Sequence, residues 1–161
     1  MRKRRIFNDG WKFVKHAENA DDACAQKGMS VTLPHTWNAE DGQDGGNDYY
    51  RGTCWYTKKV SRKELEALCG AEESEAEDET FLDGKAVWLE FEGAAMTADV
   101  YFNGIHLARH EGGYSTFRAD LTGCIREENE LVVSVDNGDN DRVYPQKADF
   151  TFYGGLYRDV S

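Results

Sequence analysis

Polar and apolar positions alternate in short runs along much of the chain. Residues 86–92, Ala-Val-Trp-Leu-Glu-Phe-Glu, set Val87, Leu89 and Phe91 on one face and Glu90 and Glu92 on the other. Residues 99–102 continue the pattern with Val100 and Phe102 inward, and residues 105–109 follow. Successive side chains leave a strand on opposite faces, so this period of two predicts half-buried strands. Asn103-Gly104 stands between the last two runs. A type I′ turn needs two positive φ angles, which Asn-Gly supplies, so the pair predicts a hairpin. Residues 130–136 form a further strand, with Leu131, Val133 and Val135 on one face and Asn137-Gly138 ending it. Residues 11–15, 31–33, 55–60, 115–120 and 156–161 also read as strands. About eight strands joined by uneven loops predict an all-β fold, an antiparallel jelly-roll β-sandwich.

Helical signals are few. Ser61-Arg-Lys-Glu64 has the form of a capping box and predicts one short helix through Leu68, ended by Cys69-Gly70. Residues 71–79 then carry six acidic side chains and read as an exposed acidic loop. No repeat or interdomain linker divides the chain, so residues 1–161 read as a single domain. Residues 156–161 look like a strand still in progress, which marks the sequence as a fragment of something longer.

Composition narrows the function. The formal charge is −11, from 30 acidic against 19 basic residues. That balance argues against nucleic acid and against an anionic membrane as partners. No window is apolar enough to span a bilayer, and the basic start has no apolar stretch after it, so it is no signal peptide. The four cysteines, at 24, 54, 69 and 124, form no CxxC pair and have no histidine at zinc-finger spacing. Scattered, reduced thiols fit a cytoplasmic protein. Four Trp, eight Tyr and eight Phe favour strands, and aromatic faces also suit sugar rings.

Two loops could carry chemistry. The first, Leu33-Pro-His-Thr-Trp-Asn38, leads into a Gly- and Asp-rich run. It reads as a structural loop in which Asn38 caps the backbone, or as an exposed Trp-Asn sugar platform. The second is Asp149-Phe-Thr-Phe-Tyr-Gly-Gly155. Its carboxylate could accept two hydroxyl hydrogen bonds from a sugar diol, or sit in an ordinary turn among core aromatics. No P-loop, GxGxxG, GxSxG or HExxH occurs. Glycoside hydrolysis needs two carboxyl groups flanking one bond, and no segment marks such a pair here. The four histidines are dispersed; His106 and His110 fall in or after a hairpin strand, where a surface role is expected.

Taken together, the segments resemble a known family. Phe7-Asn-Asp-Gly-Trp11, Leu33-Pro-His-Thr-Trp-Asn38, Tyr50-Arg-Gly-Thr-Cys-Trp-Tyr56 and Phe91-Glu-Gly93 occur in that order. Ala98-Asp-Val-Tyr-Phe-Asn-Gly104, His110-Glu-Gly-Gly-Tyr114, Asn129-Glu-Leu-Val-Val-Ser-Val-Asp-Asn137 and Asp149-Phe-Thr-Phe-Tyr-Gly-Gly-Leu-Tyr-Arg-Asp-Val160 complete the series. The set resembles the N-terminal sugar-binding domain of glycoside hydrolase family 2, most closely in its β-galactosidases. The resemblance implies a galactose-binding-domain-like jelly roll, followed in full-length members by an immunoglobulin-like domain and a TIM barrel. It places both catalytic glutamates on that barrel, so no residue of this chain is expected to be catalytic. It implies that Asn38 and Asp149 bind substrate, a β-galactoside or galactose, and that the missing barrel is the domain's partner. In some relatives the aspartate lies near a sodium ion, which makes Asp149 the residue to which sodium would come. The resemblance implies no cofactor for this domain alone, and sodium and magnesium for a full-length enzyme that can be a homo-oligomer. It favours β-galactosidase through Asp149, with β-glucuronidase or a free-standing carbohydrate-binding module as alternatives, and treats residues 71–79 as an insertion in a variable loop.

Overall fold

A computed structural model describes residues 3–39, 50–70, 82, 84–144 and 153–161. Within them the chain forms β1 (Trp11–Val14), α1 (Ala20–Ala25), β2 (Met29–Val31), β3 (Thr53–Ser61), α2 (Arg62–Cys69), β4 (Trp88–Phe91), β5 (Thr97–Phe102), β6 (Ile105–Glu111), β7 (Phe117–Asp120) and β8 (Glu128–Asp136). Six strands pair antiparallel in the order β2-β1-β3-β8-β5-β6, and β4 pairs with β7 in a second sheet. The result is an antiparallel β-sandwich. Asn103 at φ 52° and Gly104 at φ 80° make the hairpin turn between β5 and β6.

The predicted alternation builds the core between the two sheets. Trp11, Phe13, Cys54 and Tyr56 join Ala98, Val100, Phe102, Leu131, Val133 and Val135 on the inner face of the large sheet. Leu89, Phe91, Phe117 and Ala119 face them from β4 and β7. Phe91 and Phe117 are register partners, and their rings stack at 4.7 Å. Removing a side chain of that size from water contributes about 1.5–3 kcal/mol. The long β3–β8 pairing, from Thr53–Asp136 to Ser61–Glu128, forms the spine.

Several expectations need correction. Two helices occur among the described residues, not one. α1 is capped by Asn19, whose side chain accepts from the Asp22 N–H, and it covers part of the large sheet's outer face. There Ala23 packs with Val14, Trp55 and Val132, so β8 buries both of its faces at that point. The strand expected at residues 31–33 lies at Met29–Val31, after a turn at Gly28 with φ 59°. Residues 156–161 form no ladder. They touch β4 through a bridge from Val160 to Phe91, flanked by paired bonds between Glu90 and Ser161. Glu90 was expected to point to solvent, but it is buried against Arg118 (2.5 Å) and Arg4. The predicted helix holds: Ser61 and Glu64 close the capping box, and Gly70 ends α2 in the left-handed region. The acidic stretch 71–79 lies outside the described residues.

Candidate functional site

Antiparallel pairing brings the start of β3, the end of β8 and the start of β5 to one end of the sandwich. The loop of residues 33–38 and the segment of residues 153–156 meet there. His35 N–H donates to Leu156 O at 2.8 Å, Trp37 N–H to Gly154 O at 3.3 Å, and Thr36 Oγ1 to Gly154 O at 2.7 Å. The first predicted loop and the described end of the second, residues 153–155, are thus one structural unit.

Asn38 lies at its centre and is fully buried. Its Oδ1 accepts from Gly154 N–H at 2.7 Å and from Asn137 Nδ2 at 3.1 Å, and its Nδ2 donates to Tyr50 O at 3.0 Å. Asn137, which the sequence reading passed over as a strand terminator, is equally buried. Its Oδ1 accepts from Gly52 N–H at 2.9 Å. Of the two readings of this loop, Trp37 fits the structural one rather than the exposed platform. Its ring stacks on Phe13 at 5.9 Å, its Nε1 donates to Tyr50 O at 3.2 Å, and it lies flat on Gly154. A Cβ at Gly154 would come within 2.6 Å of Trp37 Cη2 and closer still to other ring atoms, so only glycine fits under the indole. Asp149 lies outside the described residues, but the motif it opens ends in the glycines that this unit holds.

His35 and Tyr56 support the unit from below. His35 Nδ1 and Tyr56 Oη are 2.8 Å apart, and Phe13 packs on both rings. Burial pushes the Tyr56 hydroxyl well above its usual range, partly opposed by a backbone hydrogen bond from Leu156. Burial also lowers the His35 pKa. The unfolded chain therefore binds a proton at His35 more readily than the folded one. His35 costs no stability above the ordinary histidine value of about 6.5, and stability falls as pH drops through that value toward the lowered folded one. Urea titrations of wild type and His35→Gln between pH 5 and 7.5 check this. The wild type should lose stability toward acid more steeply than the variant; parallel curves would rule the effect out.

The same end bears exposed tyrosines, Tyr114, Tyr144 and Tyr153. A shallow polar cleft of about 270 Å³ lies beside it on the outer face, lined by Thr53, Thr97, Asp99, Arg109, Ser134 and Asp136 among others. Arg109 bonds Asp99 at 2.6 Å, and Thr53 bonds Asp136. His106 bonds Asp99 at 2.8 Å on the surface, whereas His110 stacks on Phe117 at 4.4 Å and bonds Ser115. Among the described residues, no group of three or more His, Cys, Asp or Glu side chains converges on a metal position.

Comparison with known proteins adds a family likeness. The family model for glycosyl hydrolases family 2, sugar binding domain, matches residues 5–161. A β-glucuronidase of Bacteroides fragilis is 34% identical over 164 residues, which are 99% of this chain and 20% of that protein. A β-galactosidase of Thermoanaerobacterium thermosulfurigenes is 35% identical over 170 residues, 100% of this chain and 21% of that protein. The crystal structure of an FMN-binding β-glucuronidase from Faecalibacterium prausnitzii L2-6 superposes with a TM-score of 0.74 at 39% identity, covering 96% of this chain and 21% of that one. The chain spans about a fifth of the length of each of these relatives.

Proposed function

From the premise that this chain belongs to glycosyl hydrolase family 2, as a sugar-binding domain, we propose that it forms one wall of the glycone pocket of a retaining β-galactosidase. Asp149 accepts hydrogen bonds from hydroxyls of the terminal galactose, and Asn38 lies beside the same sugar. The acid/base and nucleophile carboxylates come from a catalytic barrel outside this chain, and this wall holds the sugar so that they meet the glycosidic bond. Positioning of this kind can lower a barrier by several kcal/mol, about 7–11 in the best-oriented cases.

The observation that carries the reading is the bond from Gly154 N–H to Asn38 Oδ1. It joins the loop containing one expected sugar residue to the motif that opens with the other. A carboxylate at the sugar's edge also favours a neutral glycone, since a glucuronate carboxylate beside Asp149 would be repelled. The β-glucuronidases among the similar proteins favour a second reading, the same wall in a β-glucuronidase.

Titration of the chain with methyl β-D-galactoside and methyl β-D-glucuronide, followed by backbone amide shifts, separates the readings. The expected result is shifts confined to the loops around Asn38 and Gly154, with the galactoside only. Shifts with the glucuronide alone would transfer the assignment to the second reading. Silence toward both at high millimolar concentration would overturn sugar recognition by this wall.

A further inference from the structure

Two buried asparagine side chains and the partly buried Gly52 amide form a closed circuit at the site end. Gly52 N–H donates to Asn137 Oδ1 at 2.9 Å, Asn137 Nδ2 donates to Asn38 Oδ1 at 3.1 Å, and Asn38 Nδ2 donates to Tyr50 O at 3.0 Å. The circuit begins and ends on the same backbone segment, residues 50–52. Asn137 is further tied by its main chain, whose carbonyl accepts from Arg51 Nε at 2.9 Å. The Gly52 N–H decides which way round the Asn137 amide sits. Asn137 in turn presents a donor to Asn38. Turning the Asn38 amide over would set its Nδ2 against two donors, Asn137 Nδ2 and Gly154 N–H. A buried polar group that faces its own kind loses its hydrogen bond and its hydration together.

We propose that Asn137 is a positioning residue of the sugar pocket: its Nδ2 fixes the Asn38 amide so that Oδ1 holds Gly154. The functional half of this statement rests on the pocket reading given above; the orientation half does not. Asn137 touches no sugar in this scheme. It sets the position of Asn38 and Gly154, on which the pocket wall is built.

Asn137→Asp tests it. The ionised side chain keeps an acceptor for Gly52 N–H but has no donor for Asn38. Two acceptors then face each other, the Asn38 amide is forced out of place, and Gly154 N–H loses its acceptor. Hydrogen exchange at the Gly154 amide should rise at least tenfold. Burial raises a carboxyl pKa, so mild acid should return a proton to Asp at this position and, with it, the missing donor. Gly154 protection should then recover, which a general loosening of the fold would not produce. Arg51, Asp136, Asp139 and Tyr50 flank the position. The wild type followed over the same pH range removes their titration and that of His35.

Asn137→Ala removes the same donor without adding charge, shows no recovery in acid, and carries the test should the aspartate variant fail to fold. Unchanged Gly154 exchange in both variants, or loss in the aspartate variant with no recovery in acid, would overturn the assigned orientation. In the sugar arm, a wild type that binds methyl β-D-galactoside should bind at least fivefold more weakly once Asn137 is replaced. Equal affinity alongside raised Gly154 exchange would overturn the functional half. A wild type that binds neither methyl β-D-galactoside nor methyl β-D-glucuronide overturns the pocket reading and the functional half with it, while the Gly154 measurement still decides the orientation.

Discussion

Gly155→Ala should lower the stability of the domain by about 3 kcal/mol, at the upper end of the range for forcing added volume into a packed interior. Two effects act together. Gly155 has φ 135°, a backbone conformation that glycine adopts freely and L side chains resist. A Cβ there would also stand 2.8 Å from Tyr56 Oη and 3.1 Å from Thr36 Cα, and nearer still to the His35 carbonyl oxygen. Backbone atoms of the 33–38 loop cannot give way cheaply. The bond from His35 N–H to Leu156 O holds the loop, and that from Ala95 N–H to Gly155 O holds the glycine, so neither side moves freely. The urea midpoint is the measurement, with Gly84→Ala as reference. Gly84 also has a positive φ, 71°, but a Cβ there meets nothing within 4 Å. Equal losses in the two variants would show that backbone strain alone acts and that the junction tolerates the added atom.

Asn38→Leu should cost about as much by a different route. Leucine is close to asparagine in size but carries no polar side-chain atom. Gly154 N–H then loses its acceptor while buried, and Asn137 Nδ2 loses its bond to Asn38 Oδ1 but retains the longer one of 3.4 Å to Tyr50 O. A buried donor left unsatisfied costs about 1–3 kcal/mol. Tyr50 O suffers less, because Trp37 Nε1 at 3.2 Å still reaches it. A total near 3 kcal/mol, roughly one stranded donor and one weakened one, follows. It is read from thermal or urea unfolding without ligand. A residue whose work lay wholly in touching sugar would leave the ligand-free stability unchanged, and that outcome would remove Asn38 from the network.

Local chemistry in this chain was legible; remote pairing was not. The Asn103-Gly104 hairpin and the Ser61–Glu64 capping box depend on neighbours within four residues, and both are present. Inward faces followed from alternation, down to Val100, Phe102, Val133 and Val135. α1 escaped notice because a helix of six residues carries little periodicity; Asn19 followed by Asp21 and Asp22 was its only signal. Glu90 looked like surface because Arg118, its partner, arrives from β7 and Arg4 from the other end of the chain. Asn38 stood out in the sequence, but its burial did not. Its partners Asn137 and Gly154 lie 99 and 116 residues away, and only the folded sheet brings them within reach. The same distance hid Asn137, which locally reads as nothing more than the residue after a strand.

β6 is one of the two edge strands of the large sheet among the described residues, and this has a consequence for how the domain behaves at high concentration. An outermost strand offers unpaired backbone groups along one side, which can recruit a strand from a second molecule and begin aggregation. Here the ladder between β5 and β6 shifts register at Val100/Tyr101, which breaks the flatness a second molecule would need. Arg109 and Glu111 add charge along the same strand. An irregular, charged edge is a poor template for edge-to-edge assembly, so this strand discourages a second molecule from extending the sheet.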